Sequence, residues 1–214
     1  MFKILGETHK IIVNNLYDNM DDIYGVKLDR KTLAWWSTAP DFLPQFKIRR
    51  HYEKESLNYV VSEIVKLIFL GRHLDFDREL TPITQKYISK NIGIISHYLS
   101  DYVCLPHAKR WTFTNNMFKH ISYETKLNSI AQNHDFRKNV ITVDDIDIFE
   151  HRVIKLRKLI KKYIKDVIKE YSEKEQYEND LNFALSLSTK VSYFVIDTIN
   201  AYNEENSKAY AFEF

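Results

Sequence analysis

Glycine and proline are scarce in this 214-residue chain, four of each. A many-stranded sandwich or barrel needs those residues at its turns, so their shortage excludes it. Lys, Glu, Ile, Leu and Tyr abound instead, and the expectation is an all-α helical bundle forming one domain over residues 1–214. A single cysteine, Cys104, rules out an intramolecular disulfide framework. Any metal site must therefore draw on the eight histidines and on carboxylates. Neither sign of charge is in excess. The 31 basic and 29 acidic side chains leave a formal net charge of +2, too balanced to advertise nucleic-acid binding, although a local patch is compatible with it. No stretch approaches the roughly 20 apolar residues of a membrane span. The opening Met-Phe-Lys-Ile-Leu-Gly-Glu has only a few apolar residues before charge returns, so a soluble, cytoplasmic protein is expected.

What the chain does have is a series of histidines and acids at helical spacings. The stretch Ser96 to His107 holds His97 and Asp101, an i, i+4 pair whose side chains leave one face of a helix about 6 Å apart along its axis. That spacing suits two ligands on one ion. Pro106 is expected to stop this helix and to let His107 swing toward a second ion. His120 and Glu124 repeat the i, i+4 geometry and, with His107, make a two-His, one-carboxylate set of the kind found in catalytic zinc sites.

The remaining elements are read around that stretch. A helix from Thr8, its N-cap, to Met20 carries Ile11, Ile12, Leu16 and Tyr17 on one face and His9 in its first turn. Between Ser37 and Pro44 two prolines hold Asp41 in irregular backbone, as a ligand or as the cap of a short turn. His51 begins a helix from Lys54 to Leu70, which Gly71 closes. The polar loop after it carries His73, Asp75 and Asp77, a solvated surface or a minor metal site. Thr81-Pro82 starts the organising helix. The His120 helix fades near Gln132, leaving His134 and Asp135 in a loop. Asp144 and Asp145 are placed to cap an amphipathic helix that carries Ile148, Val153, Ile154, Leu159, Ile160 and Ile164. Ser172 and Glu175 form a capping box for the last helix, which carries Leu181, Ala184, Leu185, Val191, Phe194, Val195 and Ile199. The tail from Glu204 to Phe214 either frays or docks. Lysines between Lys155 and Lys174 are interrupted by Asp166, Glu170 and Glu173, a solvated face in preference to an anionic membrane or nucleic-acid surface.

Taken in order, His9, Ala39-Pro40-Asp41, His51, His97-x3-Asp101-x5-His107 and His120-x3-Glu124 resemble the trinuclear zinc pattern of the bacterial zinc-dependent phospholipase C family, related to the S1/P1 nucleases. The resemblance runs from Thr8 to Glu124 and implies two to three zinc ions. Asp41, His51, His97 and Asp101 would hold the first, and His107, His120 and Glu124 the second. His9 and the other oxygen of Asp101 would hold the third. In this family the N-terminal amine and carbonyl also hold that third ion, where this chain begins with Met1; Glu7 is a substitute ligand, and a two-metal site the alternative. Zincs about 3.5–4 Å apart clamp a phosphodiester and activate water. The resemblance makes Asp41 the general base, and gives the last two helices a supporting role. Phe42 stands where choline-preferring relatives place an aromatic, but is read as a core residue, and choline preference is not supported. Arg49, Arg50 and Trp35-Trp36 suit an anionic phosphate or a stacked base, or are packing and surface residues. The function implied is phospholipase C-type hydrolysis of phospholipids or another phosphodiester, with transient membrane contact. The alternatives are a single-strand nuclease or phosphomonoesterase with the same ions, or an inactive zinc-stabilised domain that binds a lipid or protein.

Overall fold

The computed structural model describes residues 6–74, 76, 80–112, 116–146, 153–172 and 176–211, and among them every regular element is a helix. In chain order these are α1 (Glu7–Tyr24), α2 (Arg30–Trp36), α3 (Ala39–Phe42), α4 (Pro44–Lys47), α5 (Glu53–Gly71), α6 (Pro82–Tyr102), α7 (Leu105–Ala108), α8 (Met117–Ala131), α9 (Val153–Tyr171) and α10 (Tyr177–Ala211). No helix among the described residues is long and apolar enough to cross a membrane.

Helix α6 is central. Thr81 caps it, accepting the Thr84 N–H at 3.3 Å, and Pro82 fills the first turn, where no N–H is required. From Ile92 to Tyr102 it is buried on every side, because α2, α5 and α10 pack around it. Gly93 makes the approach of α2 possible. A Cβ there would lie 2.8 Å from the Leu33 carbonyl oxygen and 3.1 Å from the Ser37 nitrogen. The main core joins Leu16, Met20, Ile64, Ile92, Tyr98, Leu99, Ile164 and Ile196, each worth about 1.5–3 kcal/mol of transfer free energy on full burial. A smaller core of Cys104, Trp111, Tyr123, Leu127, Ala131 and Leu181 lies beneath α8.

Several local expectations differ from the structure. Gly6, not Thr8, precedes α1; Thr8 lies inside the helix and donates to Asn128 Oδ1 at 3.3 Å. Asp41 is neither in irregular backbone nor a cap, since Pro40 initiates α3 and Asp41 sits in its first turn. Pro106 does not stop α6, which ends at Tyr102; it opens α7 instead, the position where a ring in place of an N–H costs nothing. Ser172 belongs to the end of α9, where its hydroxyl donates to the Lys169 carbonyl, while Glu175 lies outside the described residues. Asp145 pairs with Lys190 at 2.7 Å, and residues 147–152, where the helix that Asp144 and Asp145 are expected to cap would begin, lie outside the described residues. The tail does not begin at Glu204, because α10 continues to Ala211. Asp75 and Asp77 lie outside the described residues; His73 accepts from Arg72 Nε at 3.1 Å.

Candidate metal centre

The last two turns of α6 place His97 and Asp101 one above the other, facing α1, α3 and the start of α5. His97 is fully buried, and its Nδ1 lies 2.8 Å from the Ser37 carbonyl at the end of α2. A carbonyl only accepts, so Nδ1 carries the proton and Nε2 is left with its lone pair. That lone pair faces Asp101 Oδ2 at 3.3 Å, Asp41 Oδ1 at 3.6 Å and His51 Nδ1 at 3.1 Å. His51 Nδ1 in turn is 3.0 Å from Asp101 Oδ2 and 3.5 Å from Asp41 Oδ1. The other oxygen of Asp101 looks elsewhere, toward His9 Nε2 at 3.4 Å and His107 Nε2 at 3.7 Å. The same carboxylate therefore borders two sets of imidazoles.

On the far side, α7 supplies His107 and α8 supplies His120 and Glu124. His120 Nδ1 donates to the Trp111 carbonyl at 2.9 Å, which again turns the Nε2 lone pair inward. Glu124 Oε1 meets His120 Nε2 at 2.7 Å and His107 Nε2 at 3.2 Å. Three groups result, each with one donor atom per residue lying within 4.8 Å of the others: His9, Asp41 and His97; His51, His97 and Asp101; His107, His120 and Glu124. All eight side chains singled out in the sequence thus converge. Asp41 also reaches the His9 group, which the resemblance assigns to a different ion.

The electrostatics follow from burying so many groups together. Burial, and then the neighbouring His9, holds His97 well below the usual imidazole range, so it stays neutral. Burial also pushes Asp101 up, but His107, His97, His51 and His9 outweigh it and leave the carboxyl well below its ordinary value. Glu124 drops to about 2, because the neighbouring His107 and His120 override its burial. For His107, burial pulls down, yet Asp101 and Glu124 lift it to about 9. His9 is raised in the same way, with Asp101 overcoming burial. Asp41 is raised, chiefly by burial.

Whether such a set suits zinc is decided by its unsatisfied atoms. Asp101 Oδ2 is buried without a hydrogen bond, with the His97 Nε2 lone pair at 3.3 Å and His51 Nδ1 at 3.0 Å, and an unpaired buried carboxylate oxygen is costly. A divalent cation among these acceptors removes that cost, and imidazole with carboxylate is a donor set zinc accepts. Access is from the side of Asp41, the most exposed of the eight at 28% of its side chain, and Glu124 at 20%. Glu7 is turned aside, paired with Lys10 Nζ at 2.5 Å.

Around the opening, Phe42 is exposed, not a core residue. Trp35 is also exposed, Trp36 lies under Lys90 at 4.2 Å, and Arg49 stacks on Tyr59 at 4.3 Å. His134 stands apart, 2.8 Å from Asn182 Oδ1. The Ser37 and Trp111 carbonyls, which orient two of the rings, had no side-chain signature; only the end of α2 offers a hint, since helix C-termini leave carbonyls unpaired.

The fold and this cluster define an all-helical protein whose histidines and carboxylates gather as potential ligands of a metal ion. The sequence pattern of the zinc dependent phospholipase C family matches residues 8–178, and the chain belongs to that family. Among solved structures, Clostridium perfringens alpha-toxin isolated from avian strain SWCP has a similar fold, with a TM-score of 0.53 at 16% identity. The match covers 95% of this chain and 64% of that one, so this chain spans a little under two thirds of the toxin's length. No curated protein matches.

Proposed function

We propose that the chain is a zinc-dependent phosphoric ester hydrolase of phospholipase C type, one domain over residues 1–214 that cleaves phospholipids to diacylglycerol and a phosphorylated headgroup at a membrane surface. The observation that carries this reading is the convergence of five imidazoles and three carboxylates on one partly open pocket. Asp41, His51, His97 and Asp101 hold a first ion, and His107, His120 and Glu124 a second. His9 with Asp101 would hold a third. Zinc so bound acts as a Lewis acid, activating water and offsetting charge on phosphoryl oxygens. The protein's own residues do the rest. The carbonyls of Ser37 and Trp111 fix the ring orientations of His97 and His120. Asp41 Oδ1 faces His51 and His97, and the second oxygen of that carboxylate would take the proton of the attacking water.

The test is a panel: zinc-loaded protein with vesicles of phosphatidylcholine, phosphatidylethanolamine or phosphatidylglycerol, with single-stranded DNA, and with a generic aryl phosphodiester. Release of diacylglycerol supports the proposal. Turnover of DNA alone moves the assignment to a nuclease, and zinc bound without turnover of anything leaves a binding domain.

A further inference from the structure

Asp180, in the first turn of α10, is 2% exposed and belongs to none of the three donor groups. Its carboxylate is nonetheless fully engaged. Oδ2 accepts the backbone N–H of Leu105 at 3.0 Å and the hydroxyl of Tyr123 at 2.9 Å, while Oδ1 accepts the hydroxyl of Tyr171 at 2.6 Å. The Cys104 thiol bonds to it as well. These partners are not scattered through the core. Leu105 opens α7, the short turn that carries His107, and its N–H is one of the first-turn donors that no helical carbonyl can satisfy. Tyr123 directly precedes Glu124 on α8, and its ring meets Trp111 edge-on at 5.8 Å. Trp111 is the residue whose carbonyl orients His120. Tyr171 is the last residue of α9 and ties the arrangement to a third helix.

We infer that Asp180 is the positioning residue for His107, His120 and Glu124: a single buried carboxylate sets the distance between the turn and the helix that supply all three. Hydrogen bonds to a buried charge are about twice as strong as neutral ones and hold their donors in fixed directions. The inference rests on reading that group as a metal site. A carboxylate that merely glued the core would affect all three donor groups alike. Its bonds to the Leu105 N–H and the Tyr123 hydroxyl reach the two elements that carry this group, while the Cys104 thiol is its link toward Asp101, so its loss falls first on His107, His120 and Glu124.

The experiment uses Asp180→Asn, which keeps the shape, removes the charge and sets an amide N–H against donors. Tyr123→Phe removes one hydroxyl and keeps the ring, and serves if the first variant fails to fold. Zinc binding is titrated by metal-buffered dialysis, and amide exchange over residues 103–108 is followed in zinc-free protein by mass spectrometry. Expected are a weakening of one ion by about ten- to a hundredfold with the others within about twofold, and faster exchange across 103–108. Unchanged exchange and full zinc occupancy overturn the inference, as does loss of all ions in parallel with melting temperature. A selective zinc effect in Asp180→Asn, beside a wild type that binds zinc but hydrolyses no phosphate ester, sinks the functional reading and leaves Asp180 its role. A wild type that binds no zinc overturns the inference together with the reading of that group as a metal site.

Discussion

At the scale of single residues, the tautomer of His97 follows from one hydrogen bond, and the behaviour of the cluster follows from tautomers and charges of this kind. His107 is lifted to about 9 in the metal-free protein, above the ordinary imidazole value of about 6.5, so it holds a proton at pH 7 that any cation must displace. Zinc uptake at pH 7 should therefore release protons, which calorimetry in two buffers of different ionisation enthalpy detects; a buffer-independent heat removes His107 from the ligand set. In the metal-free chain the sign is opposite. The raised His107 contributes stability that is complete below about 6.5 and is lost as pH rises through about 9. Glu124, depressed to about 2, contributes stability present above about 4.3 and lost as pH falls through about 2. Glu124→Gln should lower zinc content by one ion with the fold retained, since the side chain is 20% exposed and, among the described residues, meets the His107 and His120 rings of its own group; unchanged metal analysis would count against it. Asp41→Asn should cut turnover by about 10²–10⁴ while most of the zinc stays. A variant of full rate defeats the base assignment.

At the scale of elements, the donor-bearing helices were legible where the information is local. An i, i+4 pair needs only the helical repeat to bring it together, so His97 with Asp101 and His120 with Glu124 could be read directly, as could the Thr81-Pro82 start of α6. The groups that aim those side chains could not. The Ser37 carbonyl is 60 residues from His97, and a backbone oxygen has no letter in the sequence. Asp180 looks like an ordinary first-turn acid of α10 until the tertiary fold brings Leu105, 75 residues away, against it. Helix ends also misled, because Pro106 is compatible both with stopping one helix and with starting the next, and packing chose the second. The contact of α2 with α6 is where an element-scale change should reach the metal site. Gly93→Ala places a methyl group against the backbone of Leu33 and Ser37, overpacking that costs about 1–3 kcal/mol, and displaces the carbonyl that holds His97. Lower melting temperature together with weaker zinc binding is the expected result. A stable variant with normal zinc affinity would show that α2 need not lie this close.

For the whole molecule, the class of fold was legible from composition, since four glycines and four prolines leave few turns for a sheet protein. The shape of the pocket was not, because it is made where α1, α3, α5, α6, α7 and α8 meet, and no single segment encodes that meeting. A cluster of carboxylates and imidazoles at this depth couples metal occupancy to folding. Zinc at a hundred times its dissociation constant should add about 2.7 kcal/mol per independent site, so chelation should lower the melting temperature by several degrees, and a melting point indifferent to chelator would mean that the cluster binds zinc no better folded than unfolded.

The burial of His97 has a kinetic side. Its ring is wedged between His9, 4.2 Å away centre to centre, and His51, 4.7 Å away, with no surface of its own, whereas His107, His120 and Glu124 each keep 12–20% of their side chains open to solvent. An ion held by His97 would be open to a chelator on its Asp41 side, yet its bond to the sealed His97 ring would let go only after a neighbouring ring swings out, whereas every ligand of the outer trio can be displaced from solvent. Stripping by a chelator should then proceed in separate phases, the outer ion departing first and the inner one trailing at the pace of local breathing, and reloading should retrace the same sequence backwards.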